Sequence, residues 1–375
     1  MKFTVSSMKL FNHLSGVSRV INAKNTLPIL DCFLFNQQEG TLKVTGSDSE
    51  TTLVTSIEVD SFEENGVVCL GAKTLLDSLK EIPDQPITFN INLSTFEVIV
   101  NYQNGKFNLT GQSADNYPVA PALAEESIHL AMDPVTLNEC VSRSLFAVEE
   151  DELHPIMNGI YFDINEESIT IVASDGHKLV RNCLKNAHGE SVSSFILPKK
   201  PATLLKSLLA KEEGEEVKID FDSRNIVITT TNSRMTCRQI EGRYPNYNAV
   251  IPSDNPHKLI VDRQSLLGAL RRVSIFSLMS SSLIKLRIGD NKMEISAQDI
   301  NYALSANETL DCQYNDTPIS IGFKSTFLID IMNNLPSESI SVELADPSRA
   351  GVFVPEEQDE NYDLLMLLMP MMLNE

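Results

Sequence analysis

The chain has 375 residues, 42% of them hydrophobic and 22% charged, with a formal net charge of −21. That length suggests two to four domains, each able to bury a core, and 16 Gly with 17 Pro are too few for a collagenous or low-complexity chain. Taken as a whole, the acidity argues against a protein that coats nucleic acid or lies on anionic lipid. In chain order, a short strand is predicted over Lys2–Val5, then a helix over 7–24 with Leu10, Phe11, Leu14, Val17 and Ile21 on one face and Ser6 or Ser7 as N-cap. Alternation predicts a strand at Thr41–Gly46. A helix over 72–82 and strands at Ile87–Ile91, Thr95–Asn101 and Lys106–Thr110 follow. After a proline-containing joint at Val119–Ser127, a helix over 133–150 carries Leu137, Cys140, Val141, Leu145 and Val148. A strand at Ser168–Ala173 and a helix over 198–213 come next. Beyond a second joint at Ile251–Pro256 lie helices over 262–279, with Leu266, Leu267, Leu270 and Val273, and over 324–334.

Residues 1–21 contain Lys2, Lys9 and Arg19 but no unbroken apolar run, so no leader is expected. The longest apolar run, Leu364 to Leu373, is ten residues and includes Pro370, against the ~20 a spanning helix needs. Cys32, Cys69, Cys140, Cys183, Cys237 and Cys312 form no CxxC pair. They read as buried thiols in a reducing cytoplasm, and a cytoplasmic location is expected.

The most informative feature is internal repetition. Leu42-Lys-Val-Thr-Gly-Ser-Asp48 resembles Ile169-Thr-Ile-Val-Ala-Ser-Asp175 and Met293-Glu-Ile-Ser-Ala-Gln-Asp299, with the aspartates 127 and 124 residues apart. Leu75-Leu76…Leu79 recurs as Leu204-Leu205…Leu208 and Phe327-Leu328…Ile331. Asn116-Tyr117-Pro118 matches Arg243-Tyr244-Pro245, and Pro28 matches Pro155. These anchors agree in order and pitch on three repeats, expected at 1–121, 128–252 and 257–375. Each has two helices covering a face of mostly antiparallel strands, an α+β class.

Across the six predicted helices Lys and Arg outnumber Asp and Glu by four, so the remainder carries −25. A weakly basic surface on an acidic body suits a polyanion at one face and repels it elsewhere. Catalytic motifs fail. Gly66–Thr74 resembles a P-loop but has one residue too many before Lys73 and an apolar, strand-like middle. No G-x-S-x-G or H-E-x-x-H occurs, and the six histidines lack metal-ligand spacing. Asp175-Gly176-His177 is the most enzyme-like trio, but an Asp recurring at a strand end in every repeat reads as a turn residue. A metal-dependent nuclease using Asp175 and His177, and a β-repeat scaffold without DNA, remain the alternative readings.

Met1-Lys-Phe-Thr-Val5, Thr26-Leu-Pro-Ile-Leu30, Ala173-Ser-Asp-Gly-His-Lys-Leu179, Glu241-Gly-Arg-Tyr-Pro-Asn-Tyr247 and Met369-Pro370-Met371 together resemble the bacterial sliding clamps, the beta subunits of DNA polymerase III, over the whole chain in order. There are departures. Met372 stands where the family usually has Arg, Asn374-Glu375 are appended, the segment Asp346–Tyr362 reads as an extended acidic loop, and Pro155-Ile156 replace two residues that are often aromatic.

The resemblance implies a non-catalytic processivity factor: a homodimer closed into a ring, helices inside, around duplex DNA. No cofactor and no metal is expected. The partners implied are duplex DNA without sequence preference, the replicative polymerase, the clamp loader, repair polymerases and other clamp-motif proteins, and a second copy, with no membrane. The helix charges and the resemblance point to Lys9, Arg19, Lys24, Lys73, Lys80, Arg143, Lys199, Lys200, Lys206, Arg271 and Arg272 as backbone contacts. The residues matched to the dimer interface are Phe107, Leu109, Ile275 and Phe276. Those matched to a pocket for partner peptides are Met157, Ser174, Gly176, His177, Lys178, Leu179, Pro245, Val250, Leu367, Met369, Pro370 and Met371.

Overall fold

A computed structural model describes residues 1–151 and 153–373, so the appended Asn374-Glu375 lie outside the described residues. The first repeat runs β1 (Lys2–Ser6), α1 (Ser7–Val17), β2 (Cys32–Gln38), β3 (Thr41–Ser47), β4 (Thr51–Glu58), β5 (Ser61–Glu64), β6 (Gly66–Gly71), α2 (Ala72–Lys80), β7 (Pro86–Ile91), β8 (Glu97–Tyr102) and β9 (Gly105–Thr110). The second runs β10 (Ile128–Met132), α3 (Pro134–Ser144), β11 (Gly159–Ile164), β12 (Ile169–Ser174), β13 (Lys178–Leu184), β14 (Ser193–Pro198), α4 (Lys199–Leu209), β15 (Val217–Phe221), β16 (Asn225–Thr229) and β17 (Ser233–Arg238). The third runs β18 (His257–Asp262), α5 (Arg263–Ser274), β19 (Leu283–Gly289), β20 (Lys292–Asp299), β21 (Leu304–Asp311), β22 (Ile319–Lys324), α6 (Ser325–Asn334), β23 (Ser339–Leu344), β24 (Gly351–Pro355) and β25 (Tyr362–Leu368). Strand, helix, four strands, helix, three strands is the order each time, with β5 inserted in the first.

Local chemistry recurs with the order. Each first helix is capped by a side-chain oxygen: Ser6 accepts from Lys9 N–H at 3.1 Å, Asp133 from Thr136 N–H at 2.7 Å and Asp262 from Ser265 N–H at 2.7 Å. The helices are shorter than the periodicity predicts. The helix expected over 7–24 ends at Val17, where the chain tightens into 3₁₀-like turns. Val20 is fully buried from those turns, so its apolarity continues the helical pattern without a helix. With the observed bounds the six helices carry a formal +7, because several acidic residues fall just beyond their ends.

The sheets do not follow the repeats one to one. Each repeat divides its strands between two sheets: the four between its helices, β2, β3, β4 and β6 or β11–β14, join the first strand and the last three strands of the next repeat. The sheets are β5-β1-β7-β8-β9, then β10-β15-β16-β17-β4-β3-β2-β6, then β14-β11-β12-β13-β25-β24-β23-β18, and β21-β20-β19-β22. The strands hand over antiparallel at two places: β4 of the first repeat pairs with β17 of the second, and β13 of the second pairs with β25 of the third. By contacts the described residues form two compact units. One is Met1–Asn138 with Thr203–Gln239, holding the first two sheets; the other is Glu139–Ala202 with Ile240 onward, holding the last two.

One further expectation is corrected. Asp346–Tyr362 is not one extended loop, because Gly351–Pro355 forms β24 between β23 and β25. Its residues are apolar and buried, so they show no alternation. The apolar run from Leu364 is a buried strand as far as Leu368, and exposure begins only at Met369.

Candidate functional site

In the second unit, the β12–β13 turn is built by Asp175. Its Oδ1 accepts the N–H of His177 at 2.9 Å and of Lys178 at 2.8 Å, and its Oδ2 accepts from Lys178 Nζ at 2.5 Å. Ser174 Oγ donates to Lys178 O and accepts from Gly176 N–H, at 2.9 and 3.1 Å. Gly176 sits at φ +83°, which an L side chain rarely adopts. Asp48 and Asp299 make the same turn bonds, to Glu50 and Thr51 N–H and to Asn301 N–H. The recurring aspartate is therefore a turn residue in all three repeats.

What distinguishes the middle turn is a buried ion pair within it. The Lys178 side chain is 8% exposed and Asp175 9%. The Lys178 ammonium also lies 4.1 Å from the Phe327 ring centroid, whose ring the Lys324 ammonium approaches to 4.3 Å. Asp330, on the same helix α6, has its carboxyl pushed up by burial, an effect the Lys178 charge opposes.

The C-terminal segment is laid beside this turn. Met369 N–H donates to His177 O and Met371 N–H to Gly322 O, both at 2.8 Å. Leu179 and Leu367 face each other across β13 and β25 and are 2% and 3% exposed. With Tyr244, Tyr247, Val172, Ile196, Val352 and Leu365 they form an apolar cluster, against which Met157, Ile156 and Tyr161 pack half-buried. Tyr161 stacks on Tyr244 at 4.6 Å between centroids. The matched pocket residues thus fall into a buried set, Lys178, Leu179 and Leu367, and an exposed or half-exposed rim, with Gly176, His177, Pro245, Val250 and Met369 exposed. Tyr161 and Phe327 were not singled out from the sequence. Tyr161 carries no motif, and Phe327 reads there as one member of a Leu-rich helix face.

Of the eight strands at sheet edges, β9 and β21 are the two whose equivalents, β17 and β25 or β4 and β13, are paired between repeats. On β9, Phe107 and Leu109 are half-buried. Ile275, just past α5, is 75% exposed and Met279 91%.

Models of three domains of one family match in order: the N-terminal domain of the DNA polymerase III beta subunit over residues 1–121, its central domain over 131–246 and its C-terminal domain over 248–372. The chain belongs to the DNA polymerase III beta subunit family. It is 27% identical to the beta sliding clamp of Pseudomonas aeruginosa over the whole of both chains, and 24% identical to that of Staphylococcus aureus over 98% of each. Among solved structures, a P. aeruginosa DNA polymerase sliding clamp with ligand superposes with TM-score 0.92 at 26% identity, and a Bartonella birtlesii sliding clamp bound to griselimycin with TM-score 0.93 at 26%, each over 100% of both chains. Membership makes the chain a DNA sliding clamp, a non-catalytic processivity subunit of replication, and the nuclease reading of Asp175 and His177 is not favoured.

In this beta subunit the basic side chains differ in how far they are engaged. Lys24, Lys73, Lys80 and Lys206 are exposed. Lys9 Nζ donates to Glu58 O at 2.8 Å, Arg19 Nη1 to Ser207 Oγ at 2.6 Å and Arg271 Nη2 to Asn333 Oδ1 at 2.9 Å, contacts that leave their charges unpaired. Lys199 pairs with Glu150, and Lys200 is also engaged. Arg272 is held by both carboxylate oxygens of Glu308. Arg143 is the most enclosed, its side chain 14% exposed. It reaches Glu139 at 2.9 Å and Tyr362 Oη at 2.8 Å, and Tyr362 donates on to Asn182 at 2.6 Å. Burial pushes the neighbouring Cys140 thiol up to about 12. Arg143 is therefore placed as a packing and bridging group. Among the described residues no group of three His, Cys, Asp or Glu side chains could hold a metal.

Proposed function

We propose that two copies of this chain close head to tail into a ring around duplex DNA, and that the ring tethers the replicative polymerase and other DNA enzymes. The observation that carries the reading is the strand hand-over between repeats. Within the chain the third strand of each four-strand set, β4 or β13, pairs with the last strand of the following repeat, β17 or β25. The third repeat has no following repeat and the first no preceding one, so β21 and β9 remain open. Open edges of this kind are aggregation hazards unless covered, and a second copy under twofold symmetry covers both at once.

The repeats also supply the register. Thr51 pairs with Cys237 and Lys178 with Leu368. Leu304 takes the place of Thr51 and Lys178, each opposite the turn aspartate, and Leu109 takes the place of Cys237 and Leu368. Leu304 then lies opposite Leu109 of the partner subunit, and Ala306 opposite Phe107 of the partner subunit. Met366 and Leu368, which correspond to Phe107 and Leu109, are fully buried. Closure would bury Phe107 and Leu109 in the same way, against Ile275 and Phe276 at the end of α5.

We assign the basic side chains of the six helices and the turns that follow them to the phosphate backbone, with Lys9, Arg19, Lys24, Lys73, Lys80, Lys206 and Arg271 the most available. The net acidity of the rest keeps DNA off other faces. Few tight contacts and no base-reading array suit sliding without sequence preference. The pocket beside the β12–β13 turn would take extended peptides with one or two apolar anchors, from the polymerase, the clamp loader and repair polymerases. Met369 and Met371 suit a rim that meets several partners. The three repeats at 1–121, 128–252 and 257–375 and a cytoplasmic location belong to the same reading.

Mild oxidation of Leu109→Cys/Leu304→Cys tests the closure. A covalent dimer is expected, while Leu109→Cys/Ser305→Cys, one residue out of register and on the other face, stays uncrosslinked. A monomer at micromolar concentration, or equal crosslinking of both variants, would overturn the arrangement.

A further inference from the structure

The two places where strands pass between repeats are equivalent position by position, and their interiors differ. Counting from the helix caps Ser6 and Asp133, His13 corresponds to Cys140 and Gly16 to Arg143. Counting along the paired strands, Thr55 corresponds to Asn182 and Thr231 to Tyr362. In the second unit Arg143, Tyr362 and Asn182 fill this space and bond to one another. In the first unit the four corresponding residues line an open cavity of about 480 Å³ beside α1 and α4. A Cβ added at Gly16 would meet nothing within 4 Å. Where the second joint has an arginine and a tyrosine, the first has a glycine and a threonine, and the space is open.

The walls of this cavity are mixed. Val17, Leu53, Leu204 and Leu208 give an apolar side, and the hydroxyls of Ser15, Thr55, Thr230 and Ser233 a polar one. Two cations and two carboxylates stand at the rim. Glu212 is already engaged, accepting from Gly214 N–H at 2.9 Å, from Thr231 N–H at 3.3 Å and from Thr231 Oγ1 at 2.5 Å. Glu213 is exposed. Arg19 gives one N–H to Ser207, and a guanidinium has four more. Inside, His13 bonds Thr55 Oγ1 at 2.8 Å. Its pKa is pushed down by burial and then by the charges of Lys9 and Lys211, which marks a positive potential at the cavity wall.

We propose that the α1/α4 cavity is a binding site for a small organic anion with a compact apolar body, such as an aryl or alkyl phosphate or carboxylate. Its volume is that of small-molecule sites generally. The body would lie against Leu53 and Leu208 and the anion toward Arg19 and Lys211. The site is separate from the peptide pocket, whose residues all lie in the other unit.

The test uses the full chain with methyl-labelled Leu and Val, titrated with phenyl phosphate, benzylammonium and a short DNA duplex. Phenyl phosphate is expected to shift the Leu53, Leu204 and Leu208 methyls saturably in the millimolar range or tighter. Gly16→Leu fills the space and improves helix propensity at that position, so it should fold and abolish the shifts. Arg19→Gln/Lys211→Gln should weaken binding by about tenfold or more, the scale of a lost charge-assisted contact. Competition by the duplex would identify a backbone phosphate as the natural source of the anion, and its absence a free small molecule. Binding of benzylammonium as tight as that of phenyl phosphate, shifts that survive Gly16→Leu, or no saturable shift at all would each overturn the proposal.

Discussion

The two hand-overs of strands, β4 to β17 in the first unit and β13 to β25 in the second, share a backbone plan and differ in what fills it. In the second, Arg143, Tyr362 and Asn182 form a closed network on one face of the sheet, and the Tyr161–Tyr244 stack with Leu365 and Leu367 packs the other. In the first, Gly16, Thr55 and Thr231 leave the corresponding space open, and Tyr117 packs against Cys32 and Cys69. Strand pairing alone therefore suffices to join repeats, and side-chain packing is free to specialise. One joint is filled by a side-chain network, and the other encloses a cavity.

The largest effect that should separate the two joints is at their turns. Asp175→Ala removes the acceptor of two backbone N–H groups and leaves the Lys178 ammonium buried without its carboxylate. About 3 kcal/mol of destabilisation is expected from breaking such a buried pair, measured by urea unfolding, together with loss of peptide binding at the pocket. The matching Asp48→Ala, in an exposed turn, should cost about 1 kcal/mol. Equal costs would mean that the middle turn is not special. Next in size is Arg143→Met, which takes the donor from Tyr362 Oη and the cation from Glu139 while leaving the Tyr362–Asn182 bond. It should cost about 2 kcal/mol, as expected when buried polar groups lose a partner, whereas a loss within experimental error would show the network to be incidental. The smallest effect has the opposite sign. Gly16→Ala replaces a glycine in the last turn of α1 that faces empty space and should stabilise the protein by about 0.4–1 kcal/mol in the same assay. A destabilisation would show that the cavity is narrower than described.

Much of this was legible in the sequence wherever the signal is local. The cap Ser6 and the turn residues Asp48, Asp175 and Asp299 were readable because each serves its own neighbours' N–H groups, and the aspartates are one anchor of the threefold repeat. Gly176 marked the singular turn. The hand-over of strands was not legible, because pairing β13 with β25 joins residues about 180 positions apart and leaves no spacing to read. β24 was missed because Gly351–Pro355 is a continuous buried run without alternation. Arg143 read as a helix-surface charge because a tyrosine more than two hundred residues away encloses it. Tyr161 and Phe327 became part of the candidate pocket only through stacking and cation contacts made across the fold.

The central claim is topological, that two copies closed through β9 and β21 hold DNA by encircling it. Its most direct measurement is retention on DNA after the clamp has been assembled onto a nicked circular plasmid. The wild-type protein is expected to stay on the circle through gel filtration and to be released when the plasmid is cut once. Oxidised Leu109→Cys/Leu304→Cys, closed before it meets the circle, is expected never to associate. Retention on linear DNA equal to that on the circle, or binding of the covalently closed ring to the circle, would contradict encirclement.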